Sequence, residues 1–341
     1  MRDIYADVSK WIGEGQKVAL ATVIKTWGSS PRTTGAKMAV NQKGGITGSV
    51  SGGCVEGAVV SACMETIKDG KPQFLHFDVQ DETAWEVGVA CGGEIDVFVR
   101  LLTPDVMETF DKAEQSELTL GLVTVVQGPV SLLGSEIAVF PDGENVGKID
   151  RDIDQEAIQM AIFHLESGQP YLASFSPEID LFIDVMPPPP TLVIVGGVHI
   201  AVALVKIAKA SGYRVIVVDP RRQFGTQVRF PEADQIIQKW PDEAFEEIPL
   251  TSNTAVAMLT HDPKIDDPGL LAVLPSDVFY VGALGSRKTQ ASRQKRLLEA
   301  GLNPVLLERI NGPIGLKLGG RSPEEIALAV MAEVVKVRYQ I

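Results

Sequence analysis

The chain has 341 residues, with 31 Lys and Arg against 44 Asp and Glu, for a net charge of −13. That length suits about two domains of ~150 residues each, and the acidic balance speaks against nucleic acid or an anionic membrane surface as the main partner. Three cysteines with no C-x-x-C pair rule out a disulfide framework and a four-thiolate [2Fe–2S] centre within the chain, and they speak against structural zinc.

The first residues, MRDIYADVSKWIGEGQ, lack the positive-then-apolar pattern of a secretory signal. No apolar run reaches the roughly 18 residues of a membrane span. The expectation is a cytoplasmic protein with no membrane partner.

Residues 1–186 contain an internal repeat. GAKMAVNQKGGITG (35–48) aligns with GSEIAVFPDGENVG (134–147), sharing Gly35, Ala39, Val40, Gly44 and Gly48 at an offset of 99 residues. GKPQFLHF (70–77) then matches GQPYLASF (168–175), and EIDVFV (94–99) matches EIDLFI (178–183). Five identities at one offset, followed by two ordered matches, point to duplication. Each copy reads as strand, hairpin, helix, strand, strand, over about residues 17–102 and 118–186. Neither copy is a comfortable size to bury a core alone, so the pair is expected to form one α+β domain.

Three stretches occur only in the first copy and are therefore not required by the shared scaffold. GSSPR (28–32) offers Ser29, Ser30 and Arg32 on a loop, hydroxyls and a guanidinium suited to a phosphate or a polar ring. SGGCVEG (51–57) leads into a helix closed by Gly70. Gly52 and Gly53 open backbone conformations closed to other residues, and Cys54 follows them at the helix start. A nest of N–H groups there binds anions and lowers a thiol pKa, an effect that Glu56 partly opposes. The competing reading is a small buried Cys beside a tight turn. The third stretch, 78–93, ends near Cys91 and Gly92. Cys63, nine residues after Cys54, reads as core packing in mid-helix.

Pro187 to Pro190 read as a stiff extended linker. Beyond them, residues 191–341 alternate continuous apolar strands with helical segments, the signature of a Rossmann-like, doubly wound parallel sheet. TLVIVGG (191–197) places Gly196, Gly197 and His199 at the phosphate-binding turn, but Val198 replaces the second glycine of G-x-G-x-x-G. Asp219 ends the second strand near the spacing of a ribose-binding acid, followed by Arg221. THDP (260–263) and GALGSRKT (282–289) end later strands, and Ser286 and Arg287 open a helix as an anion cradle. A degenerate or repurposed nucleotide site is the preferred reading. SPEE (322–325) is a capping box with Pro at the first helical position.

GSSPRTTGAKMAV (28–40), GSVSGGCVEGAVV (48–60), VIVVDPRRQF (215–224), LTHDPKIDD (259–267), YVGALGSRKT (280–289) and PIGLKLGGRSPEEIALAV (313–330) together resemble the XdhC/CoxI family, the xanthine dehydrogenase accessory proteins. The family's Rossmann loop usually reads G-A-G-H-x-G, where this chain has GGVHIA. The resemblance implies a chaperone that binds molybdenum cofactor (molybdopterin), holds it while a cysteine desulfurase supplies the sulfido ligand, and delivers it to an apo molybdenum hydroxylase of the xanthine dehydrogenase type. It also implies that Cys54 is the cofactor-linked residue. On that reading Cys54 meets the metal, Ser29, Ser30, Arg32, Gly52, Gly53 and Glu56 surround the pterin side, and Cys91 and Gly92 assist. Gly196, Gly197, His199, Asp219, Arg221, Ser286 and Arg287 form a second cofactor-binding set, and the chain is expected to form a homo-oligomer. The rival reading is an NAD(P)-dependent oxidoreductase that uses the Rossmann-like half.

Overall fold

The computed structural model describes residues 1–28, 32–78 and 93–340. It divides into two compact units, Met1–Pro188 and Pro189–Ile341.

The first unit is built twice from one plan. In the first copy α1 (Arg2–Gly13) precedes β1 (Val18–Trp27), β2 (Lys37–Asn41), β3 (Ile46–Gly48), α2 (Glu56–Asp69), β4 (Gln73–Phe77) and β5 (Glu94–Leu101). In the second, α3 (Pro104–Gln115) precedes β6 (Leu120–Gln127), β7 (Glu136–Val139), β8 (Asn145–Lys148), α4 (Arg151–Leu165), β9 (Tyr171–Ser176) and β10 (Ile179–Met186). The strand orders are β3-β2-β1-β5-β4 and β8-β7-β6-β10-β9, the same sheet drawn twice. All neighbours are antiparallel. The α+β duplication expected from the glycine pattern is thus present. The leading helices α1 and α3 extend it beyond the aligned segments.

Each sheet buries one face under its own helix. On α2 the buried residues Val59, Ala62, Cys63, Thr66 and Ile67 recur at helical spacing, and Gly70 closes the helix with φ 76°. Cys63 is fully buried in that cluster, and burial pushes its thiol up to about 12. It is core, as its mid-helix position suggested. On α4 the equivalent stripe is Ile153, Ala157, Ala161 and Leu165.

The copies meet in a pseudo-symmetric seam. Ile24 and Phe98 of the first copy pack with Val126 and Phe182 of the second. Two buried ion pairs cross the seam with their charges exchanged: Lys37–Asp184 at 2.7 Å and Arg100–Glu136 at 2.6 Å. Gly35 lies against Pro170 and Gly134 against Pro72, each so close that an added Cβ would fall 2.7 Å from the ring. Neither copy could keep these contacts alone, which explains why they form one unit.

The second unit carries six parallel strands in the order β13-β12-β11-β14-β15-β16. They are β11 (Thr191–Val195), β12 (Arg214–Val218), β13 (Gln235–Ile237), β14 (Thr254–Met258), β15 (Tyr280–Ala283) and β16 (Ile310–Asn311). The central strands are buried on both faces, so they read as continuous rather than alternating apolar runs. Helices α5 (His199–Ala210), α6 (Pro241–Phe245), α7 (Pro263–Val273), α8 (Arg287–Glu299) and α9 (Pro323–Arg338) cover them. Ser322 and Glu325 form the capping box of α9, with Pro323 at its start. The order reverses between β11 and β14. In open α/β sheets that switch point opens the crevice where ligands bind, beyond the strand C-terminal ends.

Candidate functional site

In the first unit the loop before α2 is organised by Glu56. Its carboxylate accepts from the backbone N–H of Ser51 (2.9 Å), Gly52 (3.0 Å) and Gly53 (2.8 Å), and from the hydroxyls of Ser49 (2.6 Å) and Ser51 (2.5 Å). Burial raises the pKa of this carboxyl, but the five donors outweigh it and hold the group at about 2. Gly52 and Gly53 adopt φ 79° and 130°, which turns successive amides to one side. The anion nest expected here therefore exists, and the chain's own carboxylate sits in it. Glu56 does more than oppose the nest: it fills it. The Gly52 and Gly53 amides are taken up by Glu56.

Cys54 follows directly. It is half-buried, packs against the apolar cluster under the sheet, and precedes Val55, the N-cap residue of α2. Val55 N–H donates to the Ser51 hydroxyl (3.1 Å), which ties the helix start to the same loop. Arg32 joins the two copy-one motifs: its Nε donates to the Ser49 carbonyl (3.2 Å), and its Nη2 lies 3.5 Å from Asp3 Oδ2. Arg32 of GSSPR thus meets Ser49, 17 residues on and two before SGGC, and Ser49 in turn donates to Glu56. Ser29, Ser30, Cys91 and Gly92 lie outside the described residues. Ser49 and Ser51 were missed from sequence, because a serine before a glycine pair looks like turn filler.

In the second unit the phosphate-binding turn is closely packed. Gly196 has φ 109°, and an added Cβ would stand 2.6 Å from Thr260 Cγ2. A Cβ on Gly197 would meet the Phe224 carbonyl at 2.4 Å. So these glycines admit the chain's own segments at close range. Asp219 is fully buried. It accepts from Gly197 N–H (2.7 Å), Arg221 N–H (2.9 Å), Arg221 Nε (2.9 Å) and Arg221 Nη2 (2.7 Å). Burial raises its pKa, yet these donors prevail and hold it below the usual carboxylate range. The Arg221 guanidinium also stacks 4.0 Å from the Phe224 ring centre. The acid expected to face a ribose is instead part of a locked turn.

The loops at the switch point do converge. Thr260 touches the Gly196 turn and donates to Asp266 (2.5 Å). Buried Asp266 pairs with buried Arg293 at 3.1 Å, and Arg293 Nη2 donates to the Leu284 carbonyl (3.0 Å). Gln290 accepts from Arg293 and donates to the Ala283 carbonyl (2.8 Å). His199 and His261 are exposed, and His261 has φ 62°, a costly left-handed conformation for a residue with a Cβ. Ser286 caps α8 by accepting from Thr289 N–H (3.2 Å), with exposed Arg287 beside it. The Asp266–Arg293 pair was invisible in sequence, since its partners are 27 residues apart and meet only through strand adjacency. The helix that carries Asp266 opens on Asp262 as its N-cap, with Pro263 in its first turn.

A family model described as the XdhC Rossmann domain matches residues 192–334, and one described as the XdhC and CoxI family matches residues 11–78. The chain is 28% identical, over a 343-residue alignment, to a Bacillus subtilis (strain 168) protein named as a probable xanthine dehydrogenase subunit, spanning 100% of this chain and 99% of that one. It is 25% identical to the molybdenum cofactor insertion chaperone PaoD of Escherichia coli (strain K12), over 95% of this chain and 84% of that one. A crystal structure from Bacillus halodurans, described as a xanthine dehydrogenase, superposes with TM-score 0.81 at 23% identity, covering 98% of this chain and 96% of that one. At that identity the match speaks for the fold. Among the described residues no helix is long and apolar enough to cross a membrane, and no group of three or more His, Cys, Asp or Glu could hold a metal ion.

Proposed function

This chain belongs to the XdhC and CoxI family, and from that premise we propose that it is a molybdenum cofactor chaperone. It binds the cofactor as cargo and inserts it into an apo molybdenum hydroxylase of the xanthine dehydrogenase type. The carrying observation is the loop before α2: a half-buried thiol, Cys54, at a helix start fixed by Glu56 and linked by Arg32 to the second copy-one motif. Molybdenum accepts thiolate ligands, and an arginine with hydroxyl neighbours suits a phosphate. Cys54 is assigned the metal side of the cargo. Ser29, Ser30 and Arg32 are assigned its pterin and phosphate side, with Cys91 and Gly92 assisting. Glu56 shapes the loop, and through it Gly52 and Gly53 place the thiol. Sulfuration by a cysteine desulfurase while the cofactor is held belongs to the same proposal. The name of the Escherichia coli relative, a molybdenum cofactor insertion chaperone, supports the insertion role.

The test is cofactor transfer in vitro. Protein loaded with molybdenum cofactor should activate an apo hydroxylase, and Cys54→Ala should lose at least tenfold in retained cofactor and in transfer. A Cys54→Ala protein that holds and delivers cofactor like the wild type would refute the role given to Cys54.

The dinucleotide-dependent oxidoreductase reading draws no support from the second unit. Its ribose-binding acid, Asp219, and the Gly197 amide are bonded to each other, and Asp219 also to Arg221.

A further inference from the structure

The first unit contains a cavity of about 560 Å³, bordered by Arg32 of the GSSPR segment, by Thr33 and Thr34 after it, and by the seam pair Lys37 and Asp184. That volume falls within the range of small-ligand sites. The duplication supplies a control. The corresponding place in the second copy, beside Glu136, holds only about 270 Å³. There the acid is doubly engaged, by Arg100 at 2.6 Å and by the Thr124 hydroxyl at 2.8 Å. Both ion pairs cross the seam, so stitching the copies together accounts for both pairs. It does not account for the extra space on one side.

The larger cavity also has a specific polar floor. Lys37 and Asp184 are more than nine-tenths buried. Lys37 Nζ donates to the Gly35 carbonyl (2.9 Å) and stands 2.7 Å from Asp184 Oδ2, so two of its three donors are placed. Asp184 Oδ1 has no hydrogen-bond partner among the described residues. That oxygen is not among the buried unpartnered atoms, so it is an acceptor open to the cavity and to a ligand's donor. An acceptor beside a donor is the complement of a ring edge that carries N–H next to C=O. A 2-amino-4-oxopteridine has such an edge: the 2-amino group and N3–H donate, and O4 accepts.

We infer that this cavity is the pterin pocket of the protein, with Asp184 accepting from the 2-amino and N3–H groups and Lys37 donating to O4. Arg32, at the more exposed side, faces the ligand's anionic tail. The identity of the ligand rests on the chaperone reading, whereas the pocket rests on its geometry.

Neopterin, a fluorescent 2-amino-4-oxopteridine, is the probe, titrated into the full chain. Wild type should bind it saturably. Asp184→Asn should weaken binding at least tenfold. Thr34→Trp, which fills the cavity from a half-buried wall and leaves the ion pair in place, should do the same. Val146→Trp, which fills the smaller second-copy cavity, should bind within twofold of wild type. Thermal melts identify any variant that does not fold; Thr34→Trp decides the matter if Asp184→Asn is one. No saturable binding by wild type, or equal binding by folded Thr34→Trp, overturns the pocket, as does a loss in Val146→Trp equal to that in Thr34→Trp. Lost neopterin binding with intact cofactor delivery would sink the pocket and leave the chaperone. Retained neopterin binding with no delivery by wild type would sink the chaperone and leave the pocket.

Discussion

A carboxylate that accepts three backbone amides and two hydroxyls is part of a loop's framework, and this decides what Glu56 does. Removing it leaves those amides to find water or remain unpaired beside a buried turn. Glu56→Ala should therefore lose about 1–3 kcal/mol at neutral pH. The pH dependence follows from the sign of the shift. The folded pKa, about 2, lies below the ordinary value of 4.5, so the stabilisation is fully present above pH 4.5 and is lost as pH falls through about 2. Urea unfolding at a series of pH values should show the gap between wild type and variant shrinking across that window. An undiminished gap at pH 2 would show that Glu56 acts through packing alone. His76 has a smaller version of the same logic: its Nδ1 lies 2.6 Å from Asp96, and that partner raises its pKa, but the ring is half exposed and the pair is worth little to stability.

At the scale of elements, the second unit is tied together where β14 and β15 end. Arg293 on α8 reaches Asp266 on α7 and the carbonyl that follows β15, so one side chain fixes two helices and a strand end. Burial pushes the Asp266 carboxyl up and Arg293 counters it. Removing one partner strands the other charge without solvent. Arg293→Leu should then cost about 3–5 kcal/mol, and replacing Asp266 by Asn in the same chain should recover part of that loss. Chemical denaturation of the two variants measures this. An Arg293→Leu protein as stable as wild type would mean that the pair contributes nothing. The same network sets the height of the loops at 260 and 284, the walls of the switch-point crevice.

For the whole molecule, each unit occupies its glycine turn with a carboxylate of the chain, Glu56 in the first and Asp219 in the second. In the second unit, the segment around Phe224 presses on Gly197 while Arg221 holds Asp219, so an ordinary dinucleotide would have to displace both. NADPH titrated into the full chain should give no saturable binding; saturation would require the turn to open. In the first unit, the duplicated scaffold sets two like sheets against each other with exchanged charges, and the copy-one motifs stand on one side of that seam. By itself the sequence determined the duplication, the parallel sheet and the capping box of the last helix, because each is written in local spacing: turn glycines at a fixed offset, continuous apolar strands, Ser322 with Glu325. It also singled out Cys54, through a glycine pair absent from the second copy. Only the tertiary structure decided that Glu56 fills the nest beside that thiol, that Asp219 faces inward, and that Lys37 meets Asp184 across 147 residues of chain. Those facts depend on which strand ends become neighbours and on which donors reach a carboxylate first. Spacing along the chain carries neither.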